Sequence, residues 1–259
     1  MKALQFIGVI PARYASTRFP GKPLADIGGK PMIQRVYEQA RKALDNVVVA
    51  TDDERIYDCV STFGGKAVIT RTDHKCGTER CVEAIERLAV NDERLVVINI
   101  QGDEPFIQPE QIEALKKCFD DPETQIATLV KPFTEADSWA DLENPNTPKV
   151  VFDNNYNALL FSRSVIPYLR GTDKSEWLKQ HTYFRHIGMY AYRAEVLKAI
   201  TKLPQTALET AESLEQLRWL ENGYNIKVAI THSSSVGIDT PEDLKKAEAF
   251  IKMETKTEN

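Results

Sequence analysis

Three cations, Arg13, Arg18 and Lys22, fall within PARYASTRFPGKP, a stretch without a single acid that is punctuated by Pro20, Gly21 and Pro23. Such a loop can offer converging backbone N–H groups ringed by positive charge, an arrangement suited to a triphosphate. It matches neither G-x-G-x-x-G nor the Walker A pattern G-x-x-x-x-G-K-[ST], so dinucleotide and P-loop chemistry are disfavoured. Two acids complete the set. Asp103 lies in QGDEP and Asp239 in VGIDTPEDL, and a carboxylate beside phosphates usually implies Mg²⁺ between them. Thr240, Pro241 and Asp243 read as a helix start with its own cap, which leaves Asp239 spare. The bland alternatives remain open: solvated loop cations, a turn aspartate at 103, and a residue at 239 that only favours a helix end.

The elements that must position these groups follow from hydrophobic patterning. FIGVI, VVVA, KAVIT and LVVINI are short apolar runs, each followed by an amphipathic stretch, among them PMIQRVYEQARKAL, DERIYDCVSTF, GTERCVEAIERLA and PEQIEALKKCF. Continuous apolar runs between helices mark parallel strands covered on both faces. The fold expected is therefore α/β, with a mostly parallel central sheet flanked by helices. The basic loop follows the first strand and QGDEP follows LVVINI, so both belong to the crevice beyond the strands' carboxyl ends, where open α/β sheets bind ligands.

Past IATLVKP the order changes. VVFD and ALLFSR, joined through Asn154, Asn155 and Tyr156, predict a hairpin. A strand at HIGMYAY, a helix over ALETAESLEQLRWLEN, a strand IKVAITH and a helix from Thr240 follow. We expect a single domain over 1–252 with an inserted mixed-sheet lobe at about 131–205, serving the substrate or dimerisation, and a frayed charged tail at 253–259.

The 259 residues can bury a sizeable core, and the formal charge of -5 argues against a nucleic-acid partner. The cysteines, Cys59, Cys76, Cys81 and Cys118, form no C-x-x-C pair, and the histidines, His74, His181, His186 and His232, show no zinc spacing. No apolar stretch approaches membrane-spanning length, so the expectation is a cytoplasmic protein without membrane insertion.

Taken in order, PARYASTRFPGKPL, ATD at 50–52, TRTDHKCGTER, QGDEP, ALLFSR, FRHIGMYAYR, SLEQLR and GIDTPEDL resemble the 3-deoxy-D-manno-octulosonate (KDO) cytidylyltransferases. The similarity runs from Phe6 to about Leu244. It implies the nucleotide-diphospho-sugar transferase-like fold, transfer of CMP from CTP to KDO with release of pyrophosphate for lipopolysaccharide biosynthesis, Mg²⁺ as cofactor, and a homodimer. Carried over position by position, Arg13, Arg18 and Lys22 match the phosphate loop, Ala12 and Arg80 nucleotide contacts, and Asp103 and Asp239 the metal ligands. Gln101, Arg163, His186, Tyr190, Glu212 and Gln216 match sugar-side positions.

Read without the resemblance, Arg80 could equally be a helix-surface residue paired with Glu79 or Glu83, and Glu212 with Gln216 a surface pair. His186 and Tyr190, at even spacing on one strand face, could be satisfied core groups. Phe19 stands where the family commonly has leucine and Cys76 where it often has serine, and the latter touches the fine contacts at Gly77 and Thr78. The rival readings are CMP activation of sialic acid or an amino-substituted KDO, and a non-catalytic nucleotide-sugar sensor.

Overall fold

The computed structural model describes residues 3–15, 19–90, 92–233, 237–238, 240 and 242–244. Arg18, Asp239 and the tail at 253–259 lie outside the described residues. The chain divides into two compact units, Met1–Ile112 with Ser234–Asn259, and Glu113–Ser233. The lobe expected at about 131–205 falls inside the second.

In the first unit, β1 (Gln5–Ala12) leads to a two-stranded ribbon, β2 (Asp26–Ile27) and β3 (Lys30–Pro31). Then come α1 (Met32–Arg41), β4 (Val47–Thr51), α2 (Glu54–Thr62), β5 (Ala67–Ile69), α3 (Gly77–Arg87) and β6 (Leu95–Asn99). The main strands pair in parallel in the order β6-β1-β4-β5. Every residue of β4 and β6 is buried, as unbroken runs such as VVVAT require once both faces are covered. The helices cover those faces with apolar stripes at three- and four-residue spacing. In α1 the stripe is Met32, Ile33, Val36, Tyr37 and Ala40. The Asp53 side chain caps α2 by accepting from the Arg55 N–H at 3.0 Å.

From α4 (Pro109–Cys118) the chain enters the second unit. There follow β7 (Ile126–Pro132), α5 (Trp139–Glu143), β8 (Lys149–Phe152), β9 (Ala158–Ser162), α6 (Trp177–Gln180), β10 (Phe184–Arg193), α7 (Ala194–Ile200), α8 (Ala207–Glu212), α9 (Glu215–Glu221) and β11 (Ile226–Ile230). The sheet is mixed: β7 pairs with β10 antiparallel and with β11 parallel, and β8 pairs with β9 antiparallel. The expected hairpin is present. Asp153 Oδ1 accepts from the N–H groups of Asn155 and Asn157, both at 2.8 Å, and Tyr156 takes the left-handed conformation with φ 61°. A separate apolar cluster of Phe133, Leu142, Trp177 and Tyr183, with Leu169 and Leu178 packed against it, anchors the segment 169–182.

Two features differ from the patterning. The single helix expected over ALETAESLEQLRWLEN is two, because Ser213 is left-handed at φ 50°. Arg163 supplies the reason: its Nε donates to the Glu212 carbonyl at 2.6 Å and its Nη2 to the Ser213 carbonyl at 3.3 Å, taking acceptors a continuous helix would use. In β10 the register shifts between Ile187 and Tyr190. Thr128 fills the irregularity, donating to the Met189 carbonyl at 2.9 Å. No helix among the described residues is long and apolar enough to cross a membrane.

The broken helix pair is tied by Arg218, whose Nη2 meets Glu209 Oε1 at 2.7 Å with only 12% and 7% of the two side chains exposed. Arg218→Met leaves the buried Glu209 charge with the Thr206 N–H but without its cation, and should lower the unfolding free energy by about 3 kcal/mol in urea titration. Lys179→Met, which removes the exposed pair with Glu176, should cost less than about 0.5 kcal/mol.

Candidate active site

The carboxyl end of β1 opens into a pocket of the first unit lined by Pro11, Ala12 and Arg13, by Lys22 and Pro23, by His74 to Gly77 with Arg80, and by Gln101 to Asp103. Every sequence-predicted residue of this unit within the described residues therefore faces one cavity. Close packing explains its shape. A Cβ on Gly102 would meet the Pro11 carbonyl oxygen at 3.0 Å, and one on Gly77 the Pro11 ring at 3.1 Å, so the three lining segments approach as nearly as glycine allows.

The basic loop is closed at its base. The Gly21 N–H donates to the Tyr14 carbonyl at 2.9 Å, and Gly21 is left-handed with φ 70°, where a Cβ would also press on the Tyr14 ring. The Arg55 guanidinium stacks on that ring, held from below by Asp53. Phe19, the departure from leucine, packs against a cluster of Ile27, Met32 and Ile238 together with Phe106. Its role is loop packing.

Lys22 then enters a short 3₁₀ turn, and its ammonium rests on Asp103 Oδ2 at 2.8 Å. The QGDEP turn is joined to the C-terminal segment by the Ile238 N–H, which donates to the Asp103 carbonyl at 2.9 Å. The residue that follows Ile238 is Asp239. Thr240 and Asp243 form the expected cap, with the Thr240 hydroxyl donating to Asp243 Oδ2 at 2.9 Å and the Asp243 N–H to Thr240 Oγ1 at 3.2 Å.

Arg80 is not a surface residue. It is 3% exposed, and its Nη2 meets Asp52 Oδ2 at 2.9 Å while Nη1 donates to Thr70 Oγ1 and the Arg71 carbonyl. The motif fragments ATD and TRTD thus exist to hold the Arg80 guanidinium at the pocket wall. Cys76 is the N-cap of α3 and gives it no side-chain cap bond, so the N-terminal turn of α3 faces the pocket without the hydroxyl that serine would bring.

His74 and Lys75 are pocket residues that patterning did not single out. Both sit in TRTDHKCGTER, immediately before a helix N-terminus that follows a strand end, and that placement was the available signal. The His74 ring is packed between carboxylates, with Nε2 against Glu83 and Nδ1 3.8 Å from Glu79. Burial pushes the Glu83 carboxyl up, but hydrogen bonds from the Arg71 N–H, His74 and Arg87 outweigh it and hold it down at about 2.

In the second unit, Glu212 accepts from the Ser162 hydroxyl at 2.6 Å and from the Arg163 N–H at 2.9 Å, so Arg163 and Glu212 are direct partners. His186 and Tyr190 are also together, with ring centroids 5.3 Å apart. Thr128 Oγ1 lies 3.0 Å from His186 Nε2 and also reaches the carbonyls of Met189 at 2.9 Å and Ile187 at 3.3 Å, so one hydroxyl links the imidazole to the irregularity of β10. Gln216 is 5% exposed on α9, and its Nε2 and the Trp219 Nε1 are buried without a hydrogen-bond partner among the described residues. Burial pushes the Tyr190 hydroxyl well above its ordinary range, with Glu215 adding to the effect.

Burial drives His186 down to about 3, so it stays neutral at physiological pH. The unfolded chain takes up a proton near the ordinary histidine value while the folded chain refuses it. Stability is therefore lost as pH falls from about 6.5 towards 3. Thermal midpoints measured across that window should fall less steeply for His186→Gln than for the native chain.

A family model described as cytidylyltransferase matches residues 7–230. A 3-deoxy-manno-octulosonate cytidylyltransferase of Bacteroides thetaiotaomicron is 64% identical over 96% of this chain and 99% of its own. The enzyme of that name from Porphyromonas gingivalis is 55% identical over 96% and 97%. A solved CMP:2-keto-3-deoxy-manno-octonic acid synthetase in complex with CTP superposes with a TM-score of 0.87 at 44% identity, covering 96% of this chain and 99% of that one. A 4-diphosphocytidyl-2C-methyl-D-erythritol synthase from Anaerococcus prevotii, at 15% identity and a TM-score of 0.56, shares the fold alone. With its basic pocket at the end of β1, the chain belongs to the cytidylyltransferase family, among the 3-deoxy-manno-octulosonate cytidylyltransferases.

Proposed function

We infer that the protein transfers CMP from CTP to the anomeric hydroxyl of KDO and releases pyrophosphate, which places it in lipopolysaccharide biosynthesis. The observation that carries the reading is the pocket itself: Arg13, Lys22, Lys75, Arg80 and the N-terminus of α3 converge on one cavity whose lining contains a single carboxylate, Asp103, among the described residues. That balance suits a triphosphate, with Ala12 and the backbone beside it at the base. Arg18, from the same loop, belongs to this cation set. As charge develops on the departing pyrophosphate, Arg13, Arg18 and Lys22 stabilise it, and Arg80, already oriented by Asp52, needs no reorganisation.

The Asp103 carboxylate fits a divalent ion, since it is a hard oxygen donor that already carries a cation, the Lys22 ammonium, on the pocket side. The described residues contain no cluster of three or more metal-ligating side chains. Mg²⁺ commonly takes one or two carboxylates and fills its sphere with water and phosphate. We assign Asp103 and Asp239 to it, the chain linkage through Ile238 supporting the pair. When bound, the ion supplies Lewis acidity at the α-phosphate and lowers the pKa of the sugar hydroxyl.

On the sugar side, Arg163 serves the carboxylate of KDO. Neutral His186, with Tyr190, Gln101, Glu212 and Gln216, reads hydroxyls. The buried, unpartnered Gln216 Nε2 supports this assignment, because an unmet donor of that kind is costly unless a ligand satisfies it. The chain acts as a single nucleotidyltransferase domain, homodimeric and cytoplasmic.

Pyrophosphate release from CTP, Mg²⁺ and KDO tests the function, with sialic acid and no sugar as controls. Release without dependence on KDO would overturn it. Lys22→Ala should reduce turnover on the order of a hundredfold without unfolding, as loss of one transition-state charge contact does. Asp103→Asn and Asp239→Asn should each keep CTP binding and lose most transfer. Because both act on one ion, the double variant should be little worse than either single change, and multiplied losses would separate the two residues.

A further inference from the structure

Lys149, at the start of β8, has no exposed surface at all. Burying an ammonium is costly unless it is paired, and methionine would fill the same space without that cost. Its Nζ donates to two neutral groups, the carbonyls of Asn144 at 3.0 Å and Thr147 at 2.8 Å. The charged groups acting on it are Glu212, which favours the ammonium, and Arg163, which opposes it, while burial lowers its pKa.

Arg163 is placed in the same way. Its three donating nitrogens go to the carbonyls of Glu212, Pro145 at 2.7 Å and Ser213. The Glu212 carboxylate is occupied by the Ser162 hydroxyl and the Arg163 N–H. Both cations thus lie near one carboxylate, and the side-chain donors of each go to carbonyl dipoles. One positive charge remains in excess. Both cations also grip a single turn: Lys149 holds Asn144 and Thr147 from the buried side, and Arg163 holds Pro145 between them. The register pairs Lys149 with Ser162, next to Arg163 and itself bonded to Glu212, which ties the turn, β9 and the α8 end into one unit.

We propose that Lys149 is a positioning residue for the sugar acceptor: it anchors the Asn144–Thr147 turn that orients Arg163, and its buried charge leaves the Arg163–Glu212 group one positive charge in excess, so that the acceptor must carry a carboxylate. The proposal rests on the reading of the protein as a KDO cytidylyltransferase. A net cation with only dipoles around it attracts an anion, and a neutral sugar of the same shape would leave the excess uncompensated.

The test uses the full chain with Lys149→Met, which keeps volume and removes charge, and Lys149→Gln, which keeps one donor for the turn. KM for KDO should rise about ten- to a hundredfold in Lys149→Met, the equivalent of one charge-assisted contact. The KM for CTP and kcat should stay within about twofold, since the pocket of the first unit is untouched. Lys149→Gln should fall between the native chain and Lys149→Met. The carboxamide analogue of KDO should inhibit the native enzyme far more weakly than the acid's own KM implies, and this gap should narrow in both variants.

A lowered unfolding midpoint with KM for KDO unchanged, or equal rises in both KM values, would make Lys149 a structural anchor only and overturn the proposal. Should neither variant fold, equal affinity of the native enzyme for acid and carboxamide would overturn it, and a strong preference for the acid would support it. Absence of KDO-dependent pyrophosphate release in the native protein would instead sink the functional reading.

Discussion

β1 is hydrogen-bonded along both edges, to β6 on one side and β4 on the other. Its residues are consequently fixed in register with two neighbours, and the chain that leaves Ala12 has one place to go, the crevice beyond the strand ends. The rest of the pocket is arranged around that exit. β4 ends at Thr51 and presents Asp52, β6 ends at Asn99 and presents Gln101 to Asp103, and α3 begins opposite Pro11. Glycine at 77 and 102 lets these segments crowd the Pro11 backbone and ring. A side chain at either position would push apart the groups that share the ligand.

The second unit solves a different problem with different means. Its candidate sugar-side residues sit on antiparallel strands and on the break between α8 and α9, and polar and charged side chains hold these elements where helix and sheet bonding end. Arg163 replaces helical donors at Glu212 and Ser213, Thr128 fills the irregularity of β10, and Arg218 ties α9 back to Glu209. These polar contacts range from buried to half-exposed, and being directional they impose a geometry more strictly than apolar packing would.

Much of this was legible in the sequence because it was local. Unbroken apolar runs gave the parallel strands, Asp153 to Tyr156 gave the hairpin, and Thr240 with Asp243 gave a helix start. The pocket was legible for the same reason, since its cations and Asp103 directly follow strands. What escaped the pattern depends on partners far along the chain. Arg80 finds Asp52 across 28 positions, and the break at Ser213 is imposed by an arginine 50 positions away. No hydrophobic period encodes either. Lys149 escaped for the opposite reason: a lysine leading KVVF reads as a solvated strand end, and only the turn folding over it encloses the charge.

The Lys22 ammonium on Asp103 has one further meaning. A tethered cation cannot diffuse away, so its effective concentration at the carboxylate is far above that of any free ion in solution. Any cation from solution must compete with this resident charge for the carboxylate. The acid end of the pocket therefore stands already neutralised by a charge that the chain itself supplies.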